Sequence, residues 1–396
     1  MKICIAGKNN IAVSILEYII YELKYPKEKI FVIPNKDDKG VDNWQRSLLK
    51  FSKENNIKVV NLEEIYDIKD LIFLSLEFDR IINPFKFKSK KLFNVHFSLL
   101  PKYKGVYTSV WPILNNEKYT GVTLHYIDHG IDTGSIIAQK KIKIGFFDTS
   151  RDLYFKYIKY GIEIVKENLP KILKSEHLPG KQQTFINSSY YSRSSIDFSN
   201  IKIDLNKTAV EVHNQIRAFN FREYQQPVVF GHKIISSRIL NSRSFKKAGK
   251  IIFEDNISFV VSTVDYNVVL YKDKSSEFLK ACSKGDIHTV KELIQIPKIV
   301  NIQDKDGKTP LIKAIEKNNA EILKLILKNG GDVNLPDFYG KTPIMYAADT
   351  GDLAIINVLL SFGADIQKMN FNRESFLDYC KKHCTDIYRK VKGLLE

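Results

Sequence analysis

The stretch Leu-Phe-Asn-Val-His-Phe-Ser-Leu-Leu-Pro at residues 92–101 ends the last of five short apolar segments. Two longer segments between them, residues 11–23 and 44–54, have the amphipathic spacing of helices. This alternation predicts an α/β fold with a parallel, doubly wound sheet, in which ligands bind at the carboxyl ends of the strands. The predicted strands are residues 2–6, 30–34, 57–62, 70–76 and 92–97.

Asn94 and His96 fall at the carboxyl end of the fifth predicted strand, residues 92–97. Asp132 follows 38 residues after Asn94 and lies between two further predicted strands, at 121–126 and 135–144. An acyl-transfer site needs an amide N–H to stabilise an oxyanion, an imidazole to move a proton and a carboxylate to orient the imidazole. We therefore interpret Asn94, His96 and Asp132 as a candidate catalytic set. The Asn-x-His pattern by itself is weak evidence for a catalytic site, because an asparagine in a turn and a histidine in a core would give the same pattern.

The first turn, Gly-Lys-Asn-Asn-Ile-Ala at residues 7–12, tests for a dinucleotide-binding fold. A turn that binds a pyrophosphate has glycine at its first and third positions, where the backbone approaches the ligand closely. The third position here is Asn9. We therefore interpret this segment as a strand-to-helix turn without a nicotinamide site.

Four further motifs accompany the candidate catalytic set: Ser-Leu-Leu-Pro at 98–101, Tyr-Lys-Gly at 103–105, Gly-Val-Thr at 121–123 and Asp-His-Gly-Ile-Asp-Thr-Gly at 128–134. Together these residues closely resemble the folate-dependent formyltransferase family. That family includes methionyl-tRNA formyltransferase, glycinamide ribonucleotide transformylase and the sugar N-formyltransferases. The resemblance covers roughly residues 1–178, with a fainter similarity as far as Gly231.

The resemblance implies a Rossmann-like catalytic domain, 10-formyltetrahydrofolate as co-substrate and a primary amine as acceptor. Asn94 would donate its amide N–H to the oxygen that becomes negative, and His96 would stabilise that charge or carry the proton of the attacking amine. Asp132 would accept from the imidazole and fix its tautomer. Core packing is the alternative for Leu99 and Leu100. The folate contacts implied by the resemblance are Leu76, Glu77, Ser98, Leu99, Leu100, Pro101 and Gly130.

The C-terminal third contains an internal repeat. Gly-Lys-Thr-Pro-Leu at 307–311 recurs as Gly-Lys-Thr-Pro-Ile at 340–344, which is 33 residues later. A 33-residue period with Thr-Pro at the start of a helix is typical of ankyrin repeats. We expect the threonine to cap the helix and the proline to occupy its first turn. Two full repeats then lie between a degenerate unit at 276–305 and a truncated unit at 371–396.

Between these regions, residues 216–231, 233–241, 249–253 and 258–271 are short, β-rich segments that predict a small antiparallel unit. The expected domains are residues 1–185 for the formyltransferase domain, 186–272 for the small β-rich subdomain and 273–396 for the all-α ankyrin solenoid. A tRNA formyltransferase would instead need a β-barrel rich in nucleic-acid contacts. A glycinamide ribonucleotide transformylase would leave half of this chain unexplained.

Residues 216–227, Ile-Arg-Ala-Phe-Asn-Phe-Arg-Glu-Tyr-Gln-Gln-Pro, are similar to a segment of sugar N-formyltransferases. Arg217 is predicted to pair with a pyrophosphate, and Phe221 or Tyr224 to stack on a base, with packing in the small sheet as an equal alternative. Tyr107 and Trp111 are candidates for the wall that faces the sugar.

The resemblance to sugar N-formyltransferases that carry ankyrin repeats implies as acceptor a dTDP-linked 3-amino-3,6-dideoxyhexose for O-antigen in lipopolysaccharide. A 4-amino-4,6-dideoxyhexose, methionyl-tRNA and a non-enzymatic ankyrin scaffold are the alternatives, and the gluco or galacto configuration is open. The ankyrin repeats are expected to bind a protein partner or a second nucleotide sugar, or to support a homodimer. Phe338, Tyr339, Tyr346 and Phe371 are candidates for a stacking surface there.

The composition bears on partners and compartment. The net charge is +16, but only 10 of the 61 basic residues are arginine, so a solvated lysine-rich surface is favoured over a nucleic-acid interface. The four cysteines form neither a disulfide framework nor a zinc site, and His96, His125 and His129 lack a third ligand. No apolar stretch would span a bilayer and no signal-peptide core follows Met1, so we expect a cytoplasmic protein without a metal.

Overall fold

The computed structural model describes residues 1–174 and 178–395, with side chains as far as 392. The chain divides into two compact units. The first comprises Met1–Gly231, Ile239–Gly249 and Ser262–Val268, and the second comprises His232–Arg238, Lys250–Val261 and Val269–Glu396. Residues of the expected 186–272 subdomain therefore fall into both units. The expected 1–185 domain includes residues 175–177, which lie outside the described residues, as does residue 396 of the last repeat.

Nine strands occur in the N-terminal part of the chain, and seven of them form one sheet with the order β3-β2-β1-β4-β5-β7-β8. β1 to β5 are parallel, whereas β7 and β8 are antiparallel additions at one edge. β6 pairs with β9 in a separate ribbon. The strands are β1 (Lys2–Gly7), β2 (Ile30–Pro34), β3 (Lys58–Val59), β4 (Leu71–Leu76), β5 (Lys91–His96), β6 (Lys104–Gly105), β7 (Tyr119–Tyr126), β8 (Ile136–Lys143) and β9 (Tyr190–Tyr191).

Both faces of this sheet are covered, because its strands are apolar on both sides. Ile3 and Ile5 of β1 face one buried cluster and Cys4 and Ala6 face another, as the period of two requires. A capping box at Thr149 begins the longest helix. The helices of this part are α1 (Asn9–Glu17), which continues as a π-helical turn at Tyr18–Glu22, α2 (Leu48–Glu54), α3 (Trp111–Leu114), α4 (Ser150–Leu173) and α5 (Ala209–Ala218).

The strand order changes direction between β1 and β4, which is the position where open α/β sheets bind ligands. Gly7 permits the two strands to approach there, because a Cβ atom would lie 1.9 Å from the carbonyl oxygen of Leu76. Lys8 and Asn9 follow β1 at this switch point, and Glu77 follows β4. The sheet thus gathers the ends of β1, β4 and β5 at one edge.

A second sheet has five strands in the order β10-β11-β14-β13-β12. One expectation for this region was wrong. Residues 216–231 begin inside α5, whose capping box at Thr208 and apolar residues at helical spacing favour a helix. Residues 258–271 form two strands separated by a turn. The strands are β10 (Val228–Val229), β11 (His232–Arg243), β12 (Ile251–Glu254), β13 (Ser258–Val261) and β14 (Tyr266–Lys272).

The repeat region consists of four helix pairs. Thr309 caps its helix as expected, accepting from the backbone N–H of Ile312 at 3.2 Å. Thr342 does not, since its hydroxyl is buried without a hydrogen-bond partner among the described residues. The helices are α6 (Ser275–Lys284), α7 (Ile287–Leu293), α8 (Pro310–Glu316), α9 (Ala320–Lys328), α10 (Pro343–Thr350), α11 (Leu353–Ser361), α12 (Phe376–His383) and α13 (Thr385–Leu395).

A search of the described residues finds no helix that is both long enough and apolar enough to cross a bilayer.

Candidate active site

The candidate catalytic residues meet where β5 lies between β4 and β7. In the parallel pairing, Ser75 of β4 lies opposite Asn94. In the antiparallel pairing, Thr123 and His125 of β7 lie opposite His96 and Asn94. The strand register therefore brings His125 next to Asn94, although the two residues are 31 apart in the sequence.

His96 is buried and both of its ring nitrogens face acceptors. Nε2 lies 2.8 Å from the carbonyl oxygen of Tyr103, so this nitrogen carries the hydrogen and donates it. Nδ1 lies 3.4 Å from Oδ1 of Asp132. Tyr103 has a positive φ of 60°, a conformation that non-glycine residues seldom adopt. The backbone of Tyr103, rather than Asp132 as expected, therefore fixes the tautomer, and Nδ1 is the nitrogen available for proton transfer.

Asp132 is held from several directions. The backbone N–H of Gly105 donates to Oδ2 at 2.9 Å, and Nε2 of Gln183 donates to the Asp132 carbonyl at 2.8 Å. Burial by itself would raise the pKa of the Asp132 carboxyl, but the adjacent His96 and the hydrogen bond from the Gly105 N–H outweigh it and lower the pKa well below its usual range. Asp132 is therefore a carboxylate at neutral pH.

The orientation of the Asn94 amide follows from His125. Nδ1 of His125 lies 2.7 Å from the carbonyl oxygen of Tyr126 and must donate to it. Nε2 is then an acceptor, and Nδ2 of Asn94 donates to it at 3.0 Å. The same Nδ2 donates to Oδ1 of Asp132 at 3.3 Å. The amide thus turns its N–H groups toward Asp132, and the longer contact is the one that a substrate oxygen can replace.

A cavity of about 750 Å³ opens beside this set, which is a common size for a ligand site. Six of the residues predicted from the sequence line it: Glu77, Asn94, His96, Tyr107, Gly130 and Asp132. Sequence reasoning missed other lining residues, among them Lys8, His125 and the segment 78–82. Their positions after β1 and β4, or beside β5, are the signal that would have found them.

Leu76 and residues 98–101, expected to contact folate, do not line the cavity, and their contact with folate stays a prediction. Leu76 is fully buried, and its carbonyl accepts from the N–H of Lys8 at 3.2 Å. The 98–101 segment is tied to the edge strands: Thr123 Oγ1 donates to the Ser98 carbonyl at 2.6 Å, and Gln139 Nε2 donates to the Leu100 carbonyl at 2.9 Å. These residues support the end of β5 from behind.

Glu77 forms a compact polar group with Asn9 and Tyr154. The Tyr154 hydroxyl donates to the carboxylate at 2.9 and 3.0 Å, and Nδ2 of Asn9 donates to it at 3.4 Å and to the Tyr154 oxygen at 2.8 Å. Burial raises the pKa of Glu77 to about 7, against the opposing effects of Tyr154, Lys8 and Asn9.

A second, smaller cavity of about 210 Å³ lies nearby in the same unit. Trp44 and Tyr224 line it, and their ring centroids are 5.6 Å apart. Gln45 also lines it, and the buried Nε2 of this side chain has no hydrogen-bond partner among the described residues. Lys8 lines both cavities, so the two adjoin at this residue.

Three predicted substrate residues lie elsewhere. Arg217 is 6% exposed, and its guanidinium donates to Asn214 Oδ1 and to backbone carbonyls of Gly145 and Asp148 at 2.9 to 3.2 Å. Burial lowers the pKa of Arg217 to about 10. Arg217 thus stabilises the fold and is not placed to bind a pyrophosphate.

Trp111 stacks on Tyr191 at 4.0 Å and lines neither cavity. Phe221 is buried behind Trp44, with ring centroids 5.6 Å apart, and supports the smaller cavity without lining it. Of the predicted base-stacking residues, only Tyr224 has an open face, being 64% exposed. In the described part of the chain, no group of three or more His, Cys, Asp or Glu residues is arranged to hold a metal ion.

Comparisons with known proteins agree with this geometry. A formyl transferase family model matches residues 68–169, and an ankyrin-repeat model in three copies matches residues 278–370. The crystal structure of WlaRD, a sugar 3N-formyl transferase in the presence of dTDP and 5-N-formyl-THF, is 52% identical, covers 69% of this chain and 98% of that chain, and has a TM-score of 0.64.

Two further relatives are similar over the same share of the chain. The N-formyltransferase from Helicobacter canadensis, in complex with folinic acid and dTDP-3-aminofucose, is 51% identical, covers 69% of this chain and 99% of that chain, and has a TM-score of 0.65. The methionyl-tRNA formyltransferase of Clostridioides difficile (strain 630) is 30% identical over 290 residues, which are 69% of this chain and 91% of the relative.

Proposed function

Since the chain belongs to the formyltransferase family, we propose that it transfers a formyl group from 10-formyltetrahydrofolate to the C3 amine of a dTDP-linked 3-amino-3,6-dideoxyhexose. The two solved structures that are 51% and 52% identical contain a formyl folate together with dTDP or dTDP-3-aminofucose. The match to these proteins is the reason to favour a sugar amine at C3 over one at C4.

One observation carries the proposal: the cavity beside His96 adjoins a second cavity that suits a base. Trp44 and Tyr224 offer aromatic surfaces, and the unpartnered Nε2 of Gln45 offers a donor to a base carbonyl. A diphosphate that links a base there to a sugar beside His96 would pass Lys8, whose ammonium supplies positive charge. A nucleotide sugar has this order of parts.

The chemistry requires an unprotonated amine to attack the formyl carbon. A bond forms between the amine nitrogen and that carbon, the bond from the carbon to the folate nitrogen breaks, and the amine proton moves to the leaving nitrogen. In the proposed roles, Asn94 Nδ2 donates to the oxyanion in place of its 3.3 Å contact with Asp132. His96 Nδ1, opposite Asp132, relays the proton.

The direct test is a substrate panel with the full-length protein and 10-formyltetrahydrofolate. The proposal expects a mass gain of about 28 units, the formyl group less one hydrogen, on dTDP-3-amino-3,6-dideoxyhexoses. It expects little or none on the 4-amino isomers or on UDP-linked amino sugars. Formylation of the 4-amino isomer would correct the position, and formylation of no sugar would refute a sugar acceptor. Gluco and galacto isomers of each amine should be included.

The alternative acceptor is methionyl-tRNA, which the similarity to methionyl-tRNA formyltransferase over 290 residues favours. The same panel should therefore contain initiator methionyl-tRNA, and its efficient formylation would replace the sugar proposal. A role in O-antigen synthesis, a homodimer, a cytoplasmic location, and a protein or nucleotide-sugar partner for the ankyrin repeats stay predictions. Size measurement in solution would test the homodimer, and binding assays with the full chain would test the partner of the ankyrin repeats.

A further inference from the structure

Glu77 is the residue of the site that the proposed chemistry does not use. It follows β4 directly and has a positive φ of 57°, a conformation that favours glycine. Its backbone is held there by Asn35, whose Nδ2 donates to the Glu77 carbonyl at 2.8 Å. Its carboxylate faces Asn9, the first residue of α1, and Tyr154 of α4.

Asn9 and Tyr154 are the kind of donors that a phosphate needs, because an amide N–H and a phenol O–H both bind anionic oxygens. Asn9 lines the smaller cavity and Glu77 lines the larger one, beside Lys8, which lines both, whereas Tyr154 lines neither and donates to Glu77 from behind. A diphosphate that joins the two cavities would pass this group. In the nucleotide-free protein, the Glu77 carboxylate already accepts from both donors.

We propose that the Glu77 carboxylate, held by Tyr154, occupies the diphosphate-binding donor Asn9 in the free protein and takes up a proton when a nucleotide sugar binds. This inference rests on the proposed function, because it requires a nucleotide diphosphate at Lys8. The protonated Glu77 is neutral and no longer repels the phosphates. Its hydroxyl group can then donate to a phosphate oxygen.

The charges around Glu77 support proton uptake near neutral pH. The pKa of Glu77 is already raised to about 7 by burial, and a phosphate brought beside it would raise the pKa further. Lys8 is paired with Asp37 at 3.0 Å, and this pair outweighs the effect of burial and raises the pKa of Lys8. Burial is the main cause that raises the pKa of both Tyr154 and Tyr224. Lys8 therefore stays charged and the two phenols stay neutral as Glu77 titrates.

The sign of the pH effect follows from linkage. Below about pH 7 the free protein already carries the proton on Glu77, so binding requires no uptake. Above that pH each nucleotide bound draws in a proton, and affinity falls as pH rises. If the bound form stays protonated, the dissociation constant rises roughly 30-fold between pH 6 and pH 8.5, because each pH unit above the free-state pKa contributes about tenfold.

The experiment is calorimetric titration of the full-length protein with dTDP-glucose at about pH 6 and about pH 8.5. This probe has no amine, and its diphosphate is esterified at both ends, so it does not itself titrate in this range. We expect the roughly 30-fold loss of affinity for the native chain. For Glu77→Gln, which keeps the size and removes the charge, we expect less than about a threefold change and tighter binding than native at pH 8.5.

The matched control is Glu64→Gln, the same change at an exposed residue that caps the N–H of Asn61 and lies outside both cavities. This variant should retain the native pH dependence. A second measurement uses the native chain alone, so it tests the proposal even if Glu77→Gln misfolds. Titration at about pH 8 in two buffers of different ionisation enthalpy should report uptake of close to one proton per nucleotide.

The outcomes separate the two proposals. Binding of dTDP-glucose by the native chain without pH dependence or proton uptake would overturn the role of Glu77 and leave the nucleotide site intact. Weaker binding by Glu77→Gln at both pH values would also overturn it, since Glu77 would then contact the ligand as a carboxylate. Absence of binding at either pH would overturn the nucleotide site and this inference together.

Discussion

The ankyrin repeats and the active site obtain their hydrogen bonds in opposite ways. In the repeats, Asn301 and Asn334 make the same two bonds. Nδ2 donates to the carbonyl 29 residues ahead, at 2.9 and 3.0 Å, and Oδ1 accepts from the N–H 31 residues ahead, at 2.7 Å in both cases. In the active site no contact has a counterpart, and Asn9 reaches Tyr154 across 145 residues. In a repeat structure, residues that recur in the sequence make the same contacts in each repeat. In a catalytic site, each contact occurs only once.

The same contrast applies to what a substitution does. A contact between neighbouring repeats holds two loops together and does not orient a ligand, so its loss lowers the free energy of unfolding. A contact in the site orients an atom for chemistry, so its loss affects rate more than stability. The experiments below compare the two regions in this respect.

The largest effect is expected for His96→Ala. The variant removes Nδ1, which faces Asp132 at 3.4 Å, and with it the proposed proton relay. We expect a folded protein with no measurable formyl transfer, checked by circular dichroism and by the mass assay. His129→Ala, at an exposed side chain in the loop that holds Asp132, is the control and should keep native activity. Activity within tenfold of native in His96→Ala would contradict the assigned role.

Asn94→Ala should cost on the order of 100-fold to 1,000-fold in kcat, the usual effect of removing one oxyanion donor. The KM for the nucleotide sugar should change little, because the proposed contact of Asn94 is with an oxyanion that forms only after the amine attacks. Steady-state kinetics over both substrates would separate the two constants. A rise in KM with unchanged kcat would mean that Asn94 binds the ground state instead.

His125→Phe should lower kcat about tenfold, since it removes the acceptor that orients the Asn94 amide at 3.0 Å and one such bond is worth about 1.5 kcal/mol. His125→Gln keeps an acceptor oxygen and should recover part of the loss. Adding His125→Phe to Asn94→Ala should have little further effect, because the amide that His125 orients is gone. Additive losses in the double variant would mean that His125 acts independently of Asn94.

The smallest effect is expected in the repeats. Asn301→Ala and Asn334→Ala should each lower the free energy of unfolding by about 2 kcal/mol, because each removes two hydrogen bonds whose usual net value is about 1 kcal/mol apiece. The two losses should agree within about 0.5 kcal/mol because the two geometries match. Urea unfolding of the full chain measures both, with kcat expected at the native value. A difference above about 1 kcal/mol would show that the two repeats are not equivalent.

The fold was largely predictable because its signals are local. The apolar strands β1, β2, β4 and β5 occur within a residue or two of their predicted positions. The antiparallel direction of β7 and β8 was not predicted, because the sequence of one strand does not show the direction of the strand that pairs with it. The helix α5 was missed because its apolar spacing overlaps the β-rich segment that follows.

The site was predictable in part. Asn94, His96 and Asp132 do lie together: Oδ1 of Asp132 is 3.3 Å from Nδ2 of Asn94 and 3.4 Å from Nδ1 of His96. Arg217 was assigned to a pyrophosphate because it is a cation in a suggestive motif, but it is buried among carbonyl groups. Charge can be read from a sequence, whereas the partners that neutralise or satisfy a charge come from distant segments.

By itself the sequence determined the alternation of strands and helices, the 33-residue repeat and the candidate catalytic residues at the end of β5. Each of these depends on spacing along the chain. Tertiary structure decided that Tyr103 fixes the His96 tautomer, that His125 orients Asn94, and that Glu77 meets Asn9 and Tyr154. The physical reason is that parallel strands bring their carboxyl ends to one edge of the sheet. Residues from remote segments then become neighbours with specific hydrogen-bonding roles.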